Sequence, residues 1–194
     1  MAAIYLIRHG QARFDREDYD QLSEVGVRQS RTCGGDLNRR GIRFDVVLGG
    51  TMKRHRQTAD YCLEAMGSLE TLQERAGFNE YDHHEVLVRH RPEFADRVSM
   101  MQWMAACENP KKAFQLEFEK ALHRWRGGEF DQDYQETWSQ FQSRCHRALE
   151  DIRLAGEAGQ SIAVFTSGGP ISSVVGYCLG LQDAYIAELS WSIM

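Results

Sequence analysis

Ile4-Tyr5-Leu6-Ile7-Arg8-His9-Gly10-Gln11 is the stretch from which the fold is read. Four apolar residues stop at a guanidinium, an imidazole and a glycine, the pattern of a strand covered on both faces that delivers a polar turn at its carboxyl end. Two later runs repeat it. Asp45-Val46-Val47-Leu48 precedes Gly49-Gly50, and Ser161-Ile162-Ala163-Val164-Phe165-Thr166 precedes Ser167-Gly168-Gly169.

Helical patterns lie between these runs. Ser23 is a suitable N-cap, with Leu22 and Val27 spaced as a hydrophobic staple, for a helix reaching Arg40 and stopped at Gly41. Met52, Ala59, Cys62, Leu63 and Met66 share one side of a second helix that stops at Gly67. Trp138, Phe141, Cys145, Leu149 and Ile152 mark a third; Pro170, as a first helical residue, opens a fourth through Ile171, Val174, Val175, Cys178 and Leu179 to Gly180. The alternation predicts an α/β fold: a doubly wound, largely parallel sheet with helices on both faces. From about 82 to 133 the rhythm changes, because Phe94, Val98, Met101, Phe114, Phe118, Leu122 and Trp125 repeat with helical period and no strand intervenes. That stretch reads as a helical cap inserted into a single domain spanning 1–194. Glu188-Leu189-Ser190-Trp191-Ser192-Ile193-Met194 reads as the start of a further strand.

The balance of 23 basic and 28 acidic residues gives a net charge of -5, which argues against nucleic acid as a partner. Any anion site must be local. The five cysteines stand singly, form no zinc or redox pair, and read as reduced, mostly buried thiols. Neither a secretory leader nor an apolar stretch of membrane length is visible, so a reducing cytoplasm is the expected compartment and no membrane partner is expected.

In doubly wound sheets reactive groups gather beyond the carboxyl ends of strands. His9 offers an imidazole that is a competent nucleophile when neutral, and Arg8 a guanidinium that binds two phosphate oxygens at once. Arg54 is placed to supply a second fork, and Ser167-Gly168-Gly169 opens a helix whose backbone N–H groups suit an anion.

Arg8-His9-Gly10-Gln11 resembles the signature of the histidine phosphatase (phosphoglycerate-mutase-like) superfamily. Leu22-Ser23-Glu24-Val25-Gly26-Val27-Arg28-Gln29 looks like that family's Leu-Thr-x-x-Gly-x-x-Gln helix start, and Arg54-His55-Arg56-Gln57-Thr58-Ala59 like its Arg-x-x-Gln-Thr-Ala segment. Phe141-Gln142-Ser143-Arg144 is similar to a further helix element, and Thr166-Ser167-Gly168-Gly169 stands where Thr-His-Gly-Gly is usual. The resemblance implies a phosphohistidine on His9, with Arg8, Arg54, Ser167 and Gln11 around the phosphoryl group. It also implies a carboxylic acid for the leaving oxygen. Gly77-Phe78-Asn79-Glu80-Tyr81 resembles the element that supplies it, which selects Glu80, with Glu74 as the competing assignment.

Two departures stand out. Ser167 replaces the family's second histidine, and Asp15 occupies a place where asparagine often stands. A hydroxyl donates to an oxyanion but adds no positive charge. Ser167 as the nucleophile of a hydrolase elbow is excluded, because Phe165 stands where that frame needs glycine and no histidine follows. His83, His84 and His90 lack a ligand set with zinc spacing, Trp103 and Trp125 read as core, and Arg89 and Arg91 as a solvated face. The expected activity is therefore metal-independent and cofactor-free hydrolysis of the phosphate monoester of a small phosphorylated metabolite. A mutase-type transfer and a phospholigand-binding module without turnover are the alternatives.

Overall fold

The computed structural model describes residues 2–13 and 20–193, so Asp15 lies outside the described residues. Two compact units are formed, one from Met1–Glu80 with Arg144–Met194, the other from Tyr81–Ser143.

The first unit contains a four-stranded sheet of β1 (Ala3–Arg8), β2 (Val46–Gly49), β3 (Gln73–Glu74) and β4 (Ser161–Thr166), in the order β1-β4-β2-β3. Every pairing is parallel, with Arg8 opposite Thr166 and Gly49 opposite Phe165. The sheet is buried on both faces, as its apolar runs require. On one face Val47, Ala163 and Phe165 pack with Ala59, Cys62, Leu63 and Met66 of α2 (Lys53–Met66), with Cys33 and Leu37 of α1 (Glu24–Arg39) against them. On the other, Leu48, Ile162 and Val164 pack with Phe78 and with Ile152 of α6 (Trp138–Ala155). The expected doubly wound parallel architecture is the one observed.

Helix ends follow their chemistry. Ser23 Oγ accepts from the Gly26 N–H to start α1, and Gly67 ends α2 in the left-handed conformation at φ 66°. Other expectations are corrected. Pro170 is the third residue of α7 (Gly168–Leu179), which begins at Gly168. Glu188–Ile193 is not a strand but the last turns of α8 (Asp183–Ile193). Leu189, Trp191 and Ile193 do alternate with period two, yet helix-favouring Ala184, Ala187 and Glu188 precede or interleave with them, and buried Ile186 docks against Gly176 of α7. The cysteines are free but not mostly buried: Cys62 and Cys145 are, Cys33 and Cys107 are half-covered, and Cys178 faces solvent.

The second unit is helical throughout, with α3 (His83–His90), α4 (Arg97–Ala105) and α5 (Pro110–Arg126) and no strand among its described residues. Tyr81, Trp125, Trp138 and Phe141 form its aromatic centre, and the Trp125 indole N–H donates to Glu136 O at 2.8 Å. The expected apolar face of α4 is not covered: Val98 and Met101 are both exposed. Arg91 is no free surface residue either, because Glu117 and Glu93 pair with it and it lies over the rings of Phe94 and Trp103.

Adjacent glycines in α1 give a matched test of the packing. A Cβ on Gly34 would lie 2.1 Å from the backbone oxygen of Cys62, whereas one on Gly35 would meet nothing nearer than Arg39 Nη1 at 3.8 Å. Gly35→Ala should therefore stabilise by about 0.5–1 kcal/mol through helix propensity. Gly34→Ala should destabilise by about 1–3 kcal/mol, because α1 and α2 must separate. Urea midpoints at unchanged m check both, and equal shifts for the two variants would refute this account of the helix contact.

Candidate active site

The parallel register places the carboxyl ends of β1, β4 and β2 side by side, so His9, Ser167 and Gly50 follow strands that end within one residue of each other. The His9 N–H donates to Thr166 O at 2.9 Å, and the Gly50 N–H to Phe165 O at 3.1 Å, extending the ladder one residue past each strand.

His9 Nδ1 lies 2.6 Å from Gly10 O. A carbonyl only accepts, so the proton sits on Nδ1 and the lone pair on Nε2. Burial pushes the pKa of His9 down to about 4; the hydrogen bond to Gly10 opposes that, the positive fields of Arg54 and Arg8 reinforce it, and Asp20 opposes it more weakly. The imidazole is accordingly neutral at pH 7. Electrostatics and tautomer together leave the Nε2 lone pair unprotonated, with the charges of two guanidiniums acting on the ring.

The turn carrying His9 is fixed by its neighbours. The Gly10 N–H donates to Thr58 Oγ1 at 3.1 Å, and the Leu22 N–H to Gln57 Oε1 at 2.8 Å. A Cβ on Gly10 would fall 2.4 Å from Gly26 O, and one on Gly26 would fall 2.2 Å from Gln11 O, so both positions require glycine for backbone to meet backbone. Gln11 itself is exposed. Its side-chain oxygen accepts from Ser23 Oγ at 2.9 Å, while its N–H donates to Gln29 Oε1 at 2.8 Å.

Arg54 is 4 % exposed and donates through Nη1 to Asp20 Oδ1 at 2.8 Å; its Nε is buried with no hydrogen-bond partner among the described residues. Asp20 Oδ2 also accepts from the Lys53 N–H at 2.8 Å, at the start of α2. Arg8 donates from Nη1 to Ile193 O at 2.6 Å. One of its five donors is thus engaged by the last described turn of α8.

Glu80 Oε2 accepts from the Gly169 N–H at 3.1 Å, so a carboxylate of the chain itself occupies the amino end of α7. The approach to Glu80 is held from three sides. Arg144 Nη1 donates to the backbone oxygens of Ala76, Gly77 and Asn79, Thr166 Oγ1 donates to Phe78 O at 2.6 Å, and the Asn79 amide exchanges two hydrogen bonds with Thr51. Glu74, the competitor, is instead paired with Arg56 at the surface.

Ser167 is the N-cap residue of α7 but makes no capping bond with its side chain; Oγ lies 2.7 Å from His55 Nε2. Sequence reading missed His55 and Asp20. His55 carried a signal, because it falls on the same helical stripe as Met52, Ala59, Cys62 and Met66. Asp20 carried none. Among the described residues no cluster of three or more His, Cys, Asp or Glu is arranged to hold a metal, and no helix is long and apolar enough to cross a membrane.

Comparison with known proteins gives the family and the fold. The family model described as histidine phosphatase superfamily (branch 1) matches residues 4–192. A 2,3-bisphosphoglycerate-dependent phosphoglycerate mutase of Methylobacterium sp. (strain 4-46) is 33 % identical over 88 residues, 41 % of this chain and 42 % of that protein. The match thus spans about two fifths of that curated relative's length. A protein of the same name from Methylobacterium radiotolerans is 27 % identical across 96 % of this chain and 83 % of its own. In fold, a phosphoserine phosphatase of Entamoeba histolytica solved with 3-phosphoglyceric acid aligns at a TM-score of 0.61 and 15 % identity, covering 97 % of this chain and 85 % of that one.

Burial of neutral His55 has a pH consequence. Its pKa is pushed down to about 2, first by burial and then by Arg54 and His9. Below the ordinary value near 6.5 the unfolded chain takes up a proton that the folded one refuses, so stability present at pH 7 is lost as the pH falls. His55→Gln should make the decline from pH 6.5 to 5 shallower by up to about 1.4 kcal/mol per pH unit. Urea titrations at both pH values read this, and parallel curves for the two proteins would contradict it.

Proposed function

This chain belongs to the histidine phosphatase superfamily, and we propose that it hydrolyses the phosphate monoester of a small metabolite through a phosphohistidine on His9. The observation that carries the reading is the neutral His9 imidazole, its proton held by Gly10 O and its Nε2 lone pair near the charges of Arg8 and Arg54. Nε2 attacks phosphorus, the ester P–O bond breaks, and the leaving oxygen takes a proton from the Glu80 carboxyl group. The Glu80 carboxylate then accepts a proton from water as the water oxygen attacks the phosphohistidine. The N–P bond breaks, inorganic phosphate leaves, and His9 returns to its neutral form. Arg8, Arg54 and Ser167 donate to the equatorial oxygens, where charge spreads during transfer; the Gln11 amide group is assigned the outer edge.

Glu80 is preferred to Glu74 because the Gly169 bond ties it to the amino end of α7, whereas Glu74 is committed to Arg56. The residues from 82 to 133 are assigned as an insertion within one catalytic domain. A reducing cytoplasm suits the five free thiols. A mutase outcome, with the phosphoryl returned to a substrate hydroxyl, is the second reading. The relative from Methylobacterium radiotolerans favours it by matching nearly the whole chain.

A panel of phosphate esters assayed without added metal separates these outcomes, with phosphoglycerates analysed for isomerisation as well as phosphate release. His9→Ala should abolish both turnover and acid-labile labelling while the fold persists. Undiminished hydrolysis by that variant would rule the mechanism out. Glu80→Gln should slow alkyl esters more than phenolic ones, since a good leaving group needs little protonation, and Glu74→Gln should have a mild effect on either. The reverse ranking in kcat would move the acid role to Glu74.

A further inference from the structure

His55 projects from the first turn of α2 into the core, where its side chain is 0 % exposed. Its ring centroid is 5.8 Å from that of His9, and Nε2 is 2.7 Å from Oγ of Ser167, itself fully buried. Nδ1 is buried without a hydrogen-bond partner among the described residues. The backbone of Gly50 closes that side of the ring so tightly that a Cβ there would sit 2.3 Å from Nδ1. A buried histidine held this closely has only its tautomer left to choose.

Were the proton on Nδ1, an N–H donor would be sealed against Gly50 with no acceptor, and orphaned buried N–H groups are rare and costly. With the proton on Nε2, only a lone pair is left unmatched, and Nε2–H donates to Ser167 Oγ. This choice orients the serine. Its oxygen is occupied as an acceptor, so its own proton must point elsewhere. The amino end of α7 does not use that hydroxyl as a cap.

We propose that His55 is a positioning residue of the phosphoryl pocket, whose Nε2–H donates to Ser167 Oγ and so aims the serine hydroxyl proton at the phosphoryl group that His9 accepts. The proposal rests on the phosphoryl-transfer reading for the identity of the anion. Where the family carries a histidine after β4, this chain carries Ser167, and an imidazole returns from α2 to act one bond further back. The burial that keeps His55 neutral also keeps its two ring nitrogens distinct, one donor and one acceptor.

The test uses the full chain and two anions, orthovanadate and inorganic phosphate, with affinities measured calorimetrically. Ser167→Ala and His55→Ala should each weaken binding by about ten- to a hundredfold, near the value of one hydrogen bond to a charged group. The double variant should bind no more weakly than the worse single one, because both substitutions remove the same donor. His55→Gln places an amide N–H near the position of Nε2–H and should restore affinity to within about threefold of the original protein. Nitrogen-15 spectra of the unaltered protein should show His55 protonated on Nε2; this reading stands even where His55→Ala fails to fold. An Nδ1–H tautomer, full affinity in His55→Ala, losses that multiply in the double variant, or no binding of either anion by the unaltered protein would each overturn the proposal. Should the unaltered protein bind vanadate in this pattern yet release no phosphate from any ester, the hydrolase reading fails while the His55 assignment holds.

Discussion

The parallel seating of β4 between β1 and β2 is the constraint on which the site depends. Because Arg8 faces Thr166 and Gly49 faces Phe165, the three strands end within one residue of each other, and the residue that follows each is delivered to the same edge of the sheet. His9, Gly50 and Ser167 come from well-separated parts of the chain yet need no further device to meet. A slip of one residue in β4 would exchange the buried faces of Ile162, Ala163, Val164 and Phe165, so core packing holds the register that the chemistry uses.

Most of the residues that make the sequence recognisable do not touch chemistry at all. Gly10 and Gly26 permit two backbones to approach, Thr58 and Gln57 receive the N–H groups of Gly10 and Leu22, and Ser23 caps α1 while holding Gln11. A turn bearing a nucleophile must be stiff, because misplacement by about 1 Å costs on the order of a hundredfold in rate. Arg144 and Thr166 do the same for the approach to Glu80 by gathering backbone oxygens.

This division explains what the sequence disclosed. Strands buried on both faces announce themselves as apolar runs, so β1, β2 and β4 and the helices between them were legible. The two-residue β3 has no apolar run and was not. The period-two pattern near Ile193 misled because one docked side chain, Ile186, settles α8 as a helix while the alternating residues beyond it leave the local choice open. At the site, His9, Arg54 and Glu80 stood in recognisable surroundings. Asp20 did not, because it lies 34 residues before Arg54 with α1 and β2 between them, a spacing that carries no rule. His55 was visible only as a polar residue on an apolar stripe, a position that more often marks a satisfied core histidine.

The charges around His9 can be ordered by what each can afford to lose. Two guanidiniums near an imidazole make its protonated form costly, since like charges repel. That repulsion, added to burial, keeps Nε2 available. Arg54 is almost fully buried, and a guanidinium so placed without a counter-charge would be strongly destabilising. Asp20 supplies that counter-charge, but only through Nη1, and Asp20 is itself anchored by the Lys53 N–H at the start of α2. It therefore stays with the helix instead of following the guanidinium. Arg54 Nε is buried without a hydrogen-bond partner among the described residues, so the bond to Asp20 leaves that donor unused. Under the proposed function, a carboxylate placed in this way would lower the attraction for phosphate yet fix the fork that receives it, so that orientation rather than net charge is what such a buried arginine contributes.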